Sequence, residues 1–259
     1  MIQRFNKELL SGILLASMPK SGSTFTTNNL SQKENIRVDS IAPNMDPHGV
    51  LDHEIIDIKM LATALNQNKN SSFVARQHVV FTSITLELIK RKYLVPLVLT
   101  RNLPDAIIST IDHRIITDLK EDKTLMPKSF DRVYNIEQKC DYFIHFLLPW
   151  YLRFFASWIR YDEFPKVWLR YEDLTQNNQI FINKVTSILG IEDLTIEKPD
   201  KNKVVTSVDD WKSNSLFNKG VNGRGQKIMT SDQIKLIGKM IELYDIPLEY
   251  RNYLLTGKI

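Results

Sequence analysis

Four short apolar runs, each set between segments of helical periodicity, constrain the fold of this chain more than any other feature. The first is Ile13-Leu14-Leu15-Ala16-Ser17-Met18, bounded by Gly12 and Pro19. The others are Ser72-Phe73-Val74-Ala75, Val95-Pro96-Leu97-Val98-Leu99-Thr100 and Lys166-Val167-Trp168-Leu169-Arg170. Continuous apolar runs of this length read as strands buried on both faces. Helical spacing fills the intervals at Thr24 to Leu30, Ile58 to Leu65, Thr82 to Lys92, Pro104 to about Asp112, Ile136 to Tyr161 and Ile180 to Leu189. A last helix runs from Ser231 to Tyr244, and Ser23 or Thr24 stands near the cap of the first. Strands alternating with helices pack as a three-layer α/β/α domain around a central parallel sheet. Ligands of such folds bind at the carboxyl ends of strands. Residues 31–57, 118–135 and 199–229 lack periodicity and read as irregular.

With 259 residues and 43% hydrophobic content, the chain has enough apolar surface for one large core, so residues 1–259 are expected to form a single domain. A net charge of +4 is too mild for a nucleic-acid footprint, and no nucleic-acid partner is expected. Cys140 is the only cysteine, so no intrachain disulfide forms and no zinc-type Cys/His spacing exists. The basic and then apolar stretch up to Met18 imitates a signal peptide. Its apolar part is too short for one and leads at once into a turn, so the strand reading is preferred. His145, Pro149 and Arg153 interrupt the apolar stretch 142–159, so no stable membrane insertion is expected. A cytoplasmic location follows as the expectation.

Five motifs fall at strand ends or late loops. Pro19-Lys20-Ser21-Gly22-Ser23-Thr24 joins the first strand to its helix. Backbone amides at a helix start attract anions, Gly22 permits close approach, Ser21, Ser23 and Thr24 add hydroxyls, and Lys20 adds charge. The loop is P-loop-like but is not a Walker A sequence, because the lysine precedes the glycine and the first glycine is absent. The same residues also suit an ordinary strand–helix turn. Arg101 leaves the third run, with Ser109 eight residues on; the two could grip a phosphate, or Arg101 could pair with Asp105 to stabilise its loop. Arg76-Gln77-His78 places a histidine at a strand end, as a general base or as a structural residue. Tyr171, in Leu169-Arg170-Tyr171-Glu172-Asp173-Leu174, could meet a purine or belong to a capping turn. Finally, Lys219, Gly220 and Arg224 lie in a glycine-rich loop, 217–225, that could close on a phosphate or stay solvated.

In combination and order these motifs resemble the sulfotransferase family that uses 3′-phosphoadenosine 5′-phosphosulfate (PAPS), in the form of its bacterial, cyanobacterial-type members acting on small molecules. Pro19 to Phe25 is similar to the family's P-K-S-G-T-[TS]-[WF] loop, with Ser23 for Thr and Phe25 for Trp. Arg101 and Ser109 match the R-N-x-x-D…S element, Arg76-Gln77-His78 looks like K-T-H, Tyr171 to Leu174 is Y-E-D-L, and residues 218–223 are similar to R-K-G-x-x-G. The resemblance spans about residues 12–230. It implies that Lys20, Ser21, Gly22, Ser23, Thr24 and Phe25 cradle the phosphosulfate, with Lys20 stabilising the leaving oxygen. It implies His78 as the catalytic base, Arg101 and Ser109 on the 3′-phosphate, and Tyr171, Lys219, Gly220 and Arg224 as further cofactor contacts. PAPS is the implied cofactor, the 3′,5′-bisphosphate PAP its product, and no metal is implied. Two departures stand out: Asn218 replaces an arginine, and Arg76 replaces a lysine. Residues 206–211, with Trp211, are a weaker echo of an adenine-contact element.

The implied acceptor is a small molecule bearing a hydroxyl or an amine. Residues 46–54 hold three carboxylates and two histidines, which could receive a cationic natural product of secondary metabolism or form a plain solvated loop. Phe143, Phe146, Trp150, Phe154 and Trp158 recur at helical spacing, as core packing best explains. Two rival functions are weighed: a nucleotide or small-molecule kinase with a variant phosphate loop, and a non-catalytic PAPS-binding protein. A homo-oligomer is left open.

Overall fold

The computed structural model describes residues 12–33, 36–42, 56–67, 72–118, 133–161, 164, 166–189, 194–196 and 220–258, the side chains of 114–118 excepted. The chain divides into two compact units, Met1–Thr100 with Ser157–Lys198, and Arg101–Ala156 with Pro199–Ile259.

The first unit carries β1 (Gly12–Ser17), α1 (Ser23–Ser31), β2 (Ile36–Val38), α2 (Ile58–Asn66), β3 (Ser72–Gln77), α3 (Ser83–Lys90) and β4 (Leu94–Thr100). The strands form a five-stranded sheet in the order β2-β3-β1-β4-β5, where β5 is Val167–Arg170, and all pairings are parallel. Every residue of β1 and β4 is buried, as a parallel sheet covered on both faces requires. Helix α1 packs on β1, β2 and β3, α3 on β4, and a helix after β5, Asn178–Leu189, on β5. Ile13, Leu15, Leu97, Leu99 and Leu169 meet Leu30, Phe181 and Val185 in one apolar cluster. Each such side chain contributes about 1.5–3 kcal/mol of burial. The layered α/β architecture read from the sequence is therefore the one the chain adopts.

The register fixes where the loops leave the sheet. Ala16 lies beside Gln77 and Ser17 beside Leu99, so the residues that follow β1 and β3 emerge at one carboxyl edge. Strand β2, in a region read as irregular, is a correction. Its three residues pair with β3, and Arg37 within it bonds Asp39 at 2.7 Å and lies over the Phe73 ring.

The second unit begins with α4 (Leu103–Asp118), longer than the sequence indicated, and α5 (Ile136–Phe146). The chain returns to the first unit along α6 (Leu148–Arg160), then passes through β5 into α7 (Tyr171–Gln176) and α8 (Asn178–Leu189). The expected single helix from Ile136 to Tyr161 is broken at Leu147. Pro149 explains the break, since it lacks an amide and its ring clashes with the preceding turn. Phe146, read as a member of the aromatic stripe, is consequently 70% exposed, while Phe154 and Trp158 are fully buried. Among the described residues the second unit also holds α9 (Arg224–Ile228), α10 (Ser231–Leu243) and α11 (Leu248–Thr256), of which α9 and α11 were not expected. Among the described residues, no helix is long and apolar enough to cross a membrane.

Candidate functional site

In the first unit the site is built on the turn after β1. The Met18 amide donates to the Leu99 carbonyl at 3.0 Å, which fixes the start of the turn to β4. Ser21 is fully buried and donates its hydroxyl to the Met18 carbonyl at 2.6 Å, so it closes the loop internally. Lys20 adopts φ 66°, a left-handed conformation rare for a residue with a Cβ and one that gathers at functional loops. Gly22 follows at φ 90° and is the N-cap of α1, but it has no side chain to cap the helix. Ser23 and Thr24, expected near the cap, are the first two helical residues after it. The first-turn amides of α1 thus meet no N-cap side chain, an arrangement suited to an anion. Tyr171 packs against this turn: a Cβ on Gly22 would lie 3.0 Å from its ring. The Tyr171 ring is 5% exposed and belongs to the apolar cluster, so it buttresses the loop from below.

Two groups reach the turn from β3. Arg76 donates from Nη1 to the hydroxyl oxygen of Thr24. A hydroxyl that accepts from arginine keeps its own proton for another acceptor. Burial pulls the Arg76 guanidinium below its ordinary pKa, as desolvation of a cation must. His78 stands one residue past β3, with Nδ1 2.8 Å from the Ser17 carbonyl oxygen and 3.3 Å from the Ser17 hydroxyl. A carbonyl only accepts, so Nδ1 carries the proton and the lone pair of the neutral ring is on Nε2. The segment beyond His78 is pinned as well. Trp158 Nε1 donates to the Val79 carbonyl at 3.0 Å, and the Phe81 amide donates to Ser157 at 2.9 Å. None of these tethers carries a sequence signal, because each joins residues more than 50 positions apart in the chain.

In the second unit the candidate residues gather around the first turns of α4. Arg101, 4% exposed, lies 3.8 Å from the Asp105 carboxylate and donates to the Val221 carbonyl at 3.4 Å. Ser109 is buried one turn beyond Asp105 on the same face of α4. Gly220, at φ 58°, opens the described part of the late loop. Arg224 pairs through Nη1 with Asp112 at 2.7 Å. Gly225 is obligatory: a Cβ there would sit 2.3 Å from the Pro104 carbonyl carbon. The site residue Lys219, the loop 46–54 and the segment 206–211 lie outside the described residues.

Comparison with known proteins adds the family. Residues 10–247 match the sulfotransferase domain family. A search of curated proteins finds no match. Among solved structures, mouse sulfotransferase SULT7A1 complexed with PAP aligns over 96% of this chain and 93% of its own, at 16% identity and a TM-score of 0.64. Retinol dehydratase in a complex with retinol and PAP aligns over 91% of this chain and 81% of its own, at 16% identity and a TM-score of 0.59. At such identity the two structures establish the shared fold.

Proposed function

The chain belongs to the sulfotransferase domain family, and from that premise we propose that it moves a sulfuryl group from PAPS to a hydroxyl or amine of a small-molecule acceptor, releasing PAP. One observation carries the reading: the histidine proposed as base is fastened to the same residue, Ser17, from which the phosphosulfate turn departs. The amides at the start of α1, with Thr24, would hold the 5′-phosphate. The Nε2 lone pair of His78 would accept the acceptor proton as the acceptor oxygen or nitrogen bonds to sulfur. The bond from sulfur to the bridging oxygen breaks, and Lys20 would stabilise the charge left on that oxygen. The demand resembles that of phosphoryl transfer, in which positioning and electrostatics dominate. Arg76 replaces the lysine of the family pattern and, through Thr24, would orient the turn against the 5′-phosphate. Arg101 and Ser109 would take the 3′-phosphate, with Gly220 in the loop beside them. The Arg224 pair with Asp112 makes that arginine an anchor of the loop, and a cationic natural product is the acceptor class the polar segment 46–54 would suit.

Labelled PAPS offered with a panel of phenols, alcohols and amines tests the proposal. Transfer of label is expected, and His78→Ala should lower turnover about 10²-fold or more with PAP affinity retained. Tight PAP binding with no transfer across the panel would leave a binding protein without the enzyme. Unchanged turnover in His78→Ala would remove the base.

A further inference from the structure

We infer that Asp105 is the positioning residue of the 3′-phosphate end of the cofactor site, holding Arg101 and the late glycine loop in binding geometry while touching no ligand itself. The inference rests on the PAPS reading above. The Asp105 side chain is fully buried. Its Oδ2 accepts from the Gly223 amide at 2.7 Å and from Asn102 Nδ2 at 3.1 Å, and Arg101 Nη2 approaches the same oxygen to 3.8 Å. Its Oδ1 accepts from the Gly225 amide at 2.7 Å. Two backbone amides, a carboxamide and a guanidinium thus surround one carboxylate. A buried anion requires such a shell, and hydrogen bonds to a charged group are the strong ones.

The partners define the role. Gly223 and Gly225 are 118 and 120 residues away in sequence, and both belong to the glycine-rich loop that the family resemblance implies as a cofactor contact. Asp105, Ser109 and Asp112 recur at i, i+4 and i+7 and therefore form one stripe along α4. Asp105 grips the loop at one end of that stripe, through amides. Asp112 grips it at the other, through Arg224 at 2.7 Å. Ser109 stands between the two grips. The missing Cβ of Gly225 lets the loop lie directly on the Pro104 backbone, where any side chain would collide. A carboxylate would repel a phosphate, so Asp105 acts through the groups it arranges. Its negative charge also attracts the Arg101 guanidinium, whose Nη2 donates to the Val221 carbonyl at 3.4 Å in the same loop.

Calorimetric titration of the full chain with PAP and with adenosine 5′-phosphate, which lacks the 3′-phosphate, tests this. In Asp105→Asn one carboxylate oxygen becomes an amide donor facing donors. PAP affinity should fall about tenfold or more, with affinity for adenosine 5′-phosphate within about twofold of wild type. Asp112→Asn, which releases only the Arg224 end, should show the same selective loss at smaller size, and it decides the matter if Asp105→Asn does not fold. An unchanged ratio of the two affinities in a folded variant overturns the inference, as does an equal loss for both nucleotides. If the wild-type chain binds PAP no more tightly than adenosine 5′-phosphate, the PAPS reading itself fails and the inference with it.

Discussion

Replacing Gly22 by alanine probes the turn after β1 in two separable ways. The residue sits at φ 90°, in the left-handed region, where a Cβ costs about 1–2 kcal/mol. That Cβ would also stand 3.0 Å from Tyr171 Cδ2 and 3.3 Å from Leu174 Cδ2. Both side chains are buried, so the ring must shift by a few tenths of an ångström within a packed core, and overpacking of this kind costs about 1–3 kcal/mol. The two contributions sum to about 2–5 kcal/mol. At about 2–4 °C per kcal/mol for a chain of this size, melting should fall by on the order of 10 °C. Thermal melts of Gly22→Ala, Tyr171→Leu, Tyr171→Phe and the two double variants separate the parts. Tyr171→Leu should recover about 1–3 kcal/mol of the loss as a coupling energy, whereas Tyr171→Phe, which keeps the ring, should recover none. A Gly22→Ala melt matching wild type, or equal recovery by Phe and Leu, would refute the argument that the ring props the turn.

Asp173 supplies a pH test. Burial opposes its ionisation, but hydrogen bonds from Arg170 and from Lys184 at 2.9 Å outweigh burial and hold the carboxyl below its ordinary value of 3.8. A depressed carboxyl stabilises the fold above its unfolded pKa, and the contribution disappears as the pH falls through the folded value. Asp173→Asn should therefore lower the urea midpoint at neutral pH, and the difference from wild type should vanish in strong acid; a constant difference would contradict this. Cys140 is fully buried, and burial, followed by the charges of Asp141 and Glu137, pushes its thiol up to about 12. Iodoacetamide should label it only after denaturation, as mass spectrometry would show, and rapid labelling of the native chain would contradict the burial.

The strands β1, β3, β4 and β5 are legible in the sequence as short continuous apolar runs, and the turn after β1 as the Pro19–Gly22 stretch that stops the first of them. Strand β2 is not legible, because Ile36-Arg37-Val38 is too short for a pattern and exists by pairing with β3. Helix α9 is five residues long with Gly225 inside it, and its place depends on contact with α4. The break at Leu147 was within reach, since Pro149 stands in plain view, but the aromatic period masked it. Among the candidate site residues, Lys20, His78 and Arg101 are legible as residue types at strand ends. The work of Asp105 is not, because its principal partners are backbone amides, which look the same in every sequence. The tautomer of His78 was likewise out of reach, being set by a carbonyl 61 positions earlier in the chain.

Tethering the His78 imidazole to the strand that launches the turn after β1 has a consequence for diversification. Under the proposed function, donor handling and proton removal would sit together on two adjacent strand ends, residues 17–24 and 76–78, which the Arg76–Thr24 and His78–Ser17 hydrogen bonds tie to each other. Segments outside these two strand ends could then be exchanged without re-aiming the proposed attack, so that new acceptors would be reached by rewriting peripheral stretches.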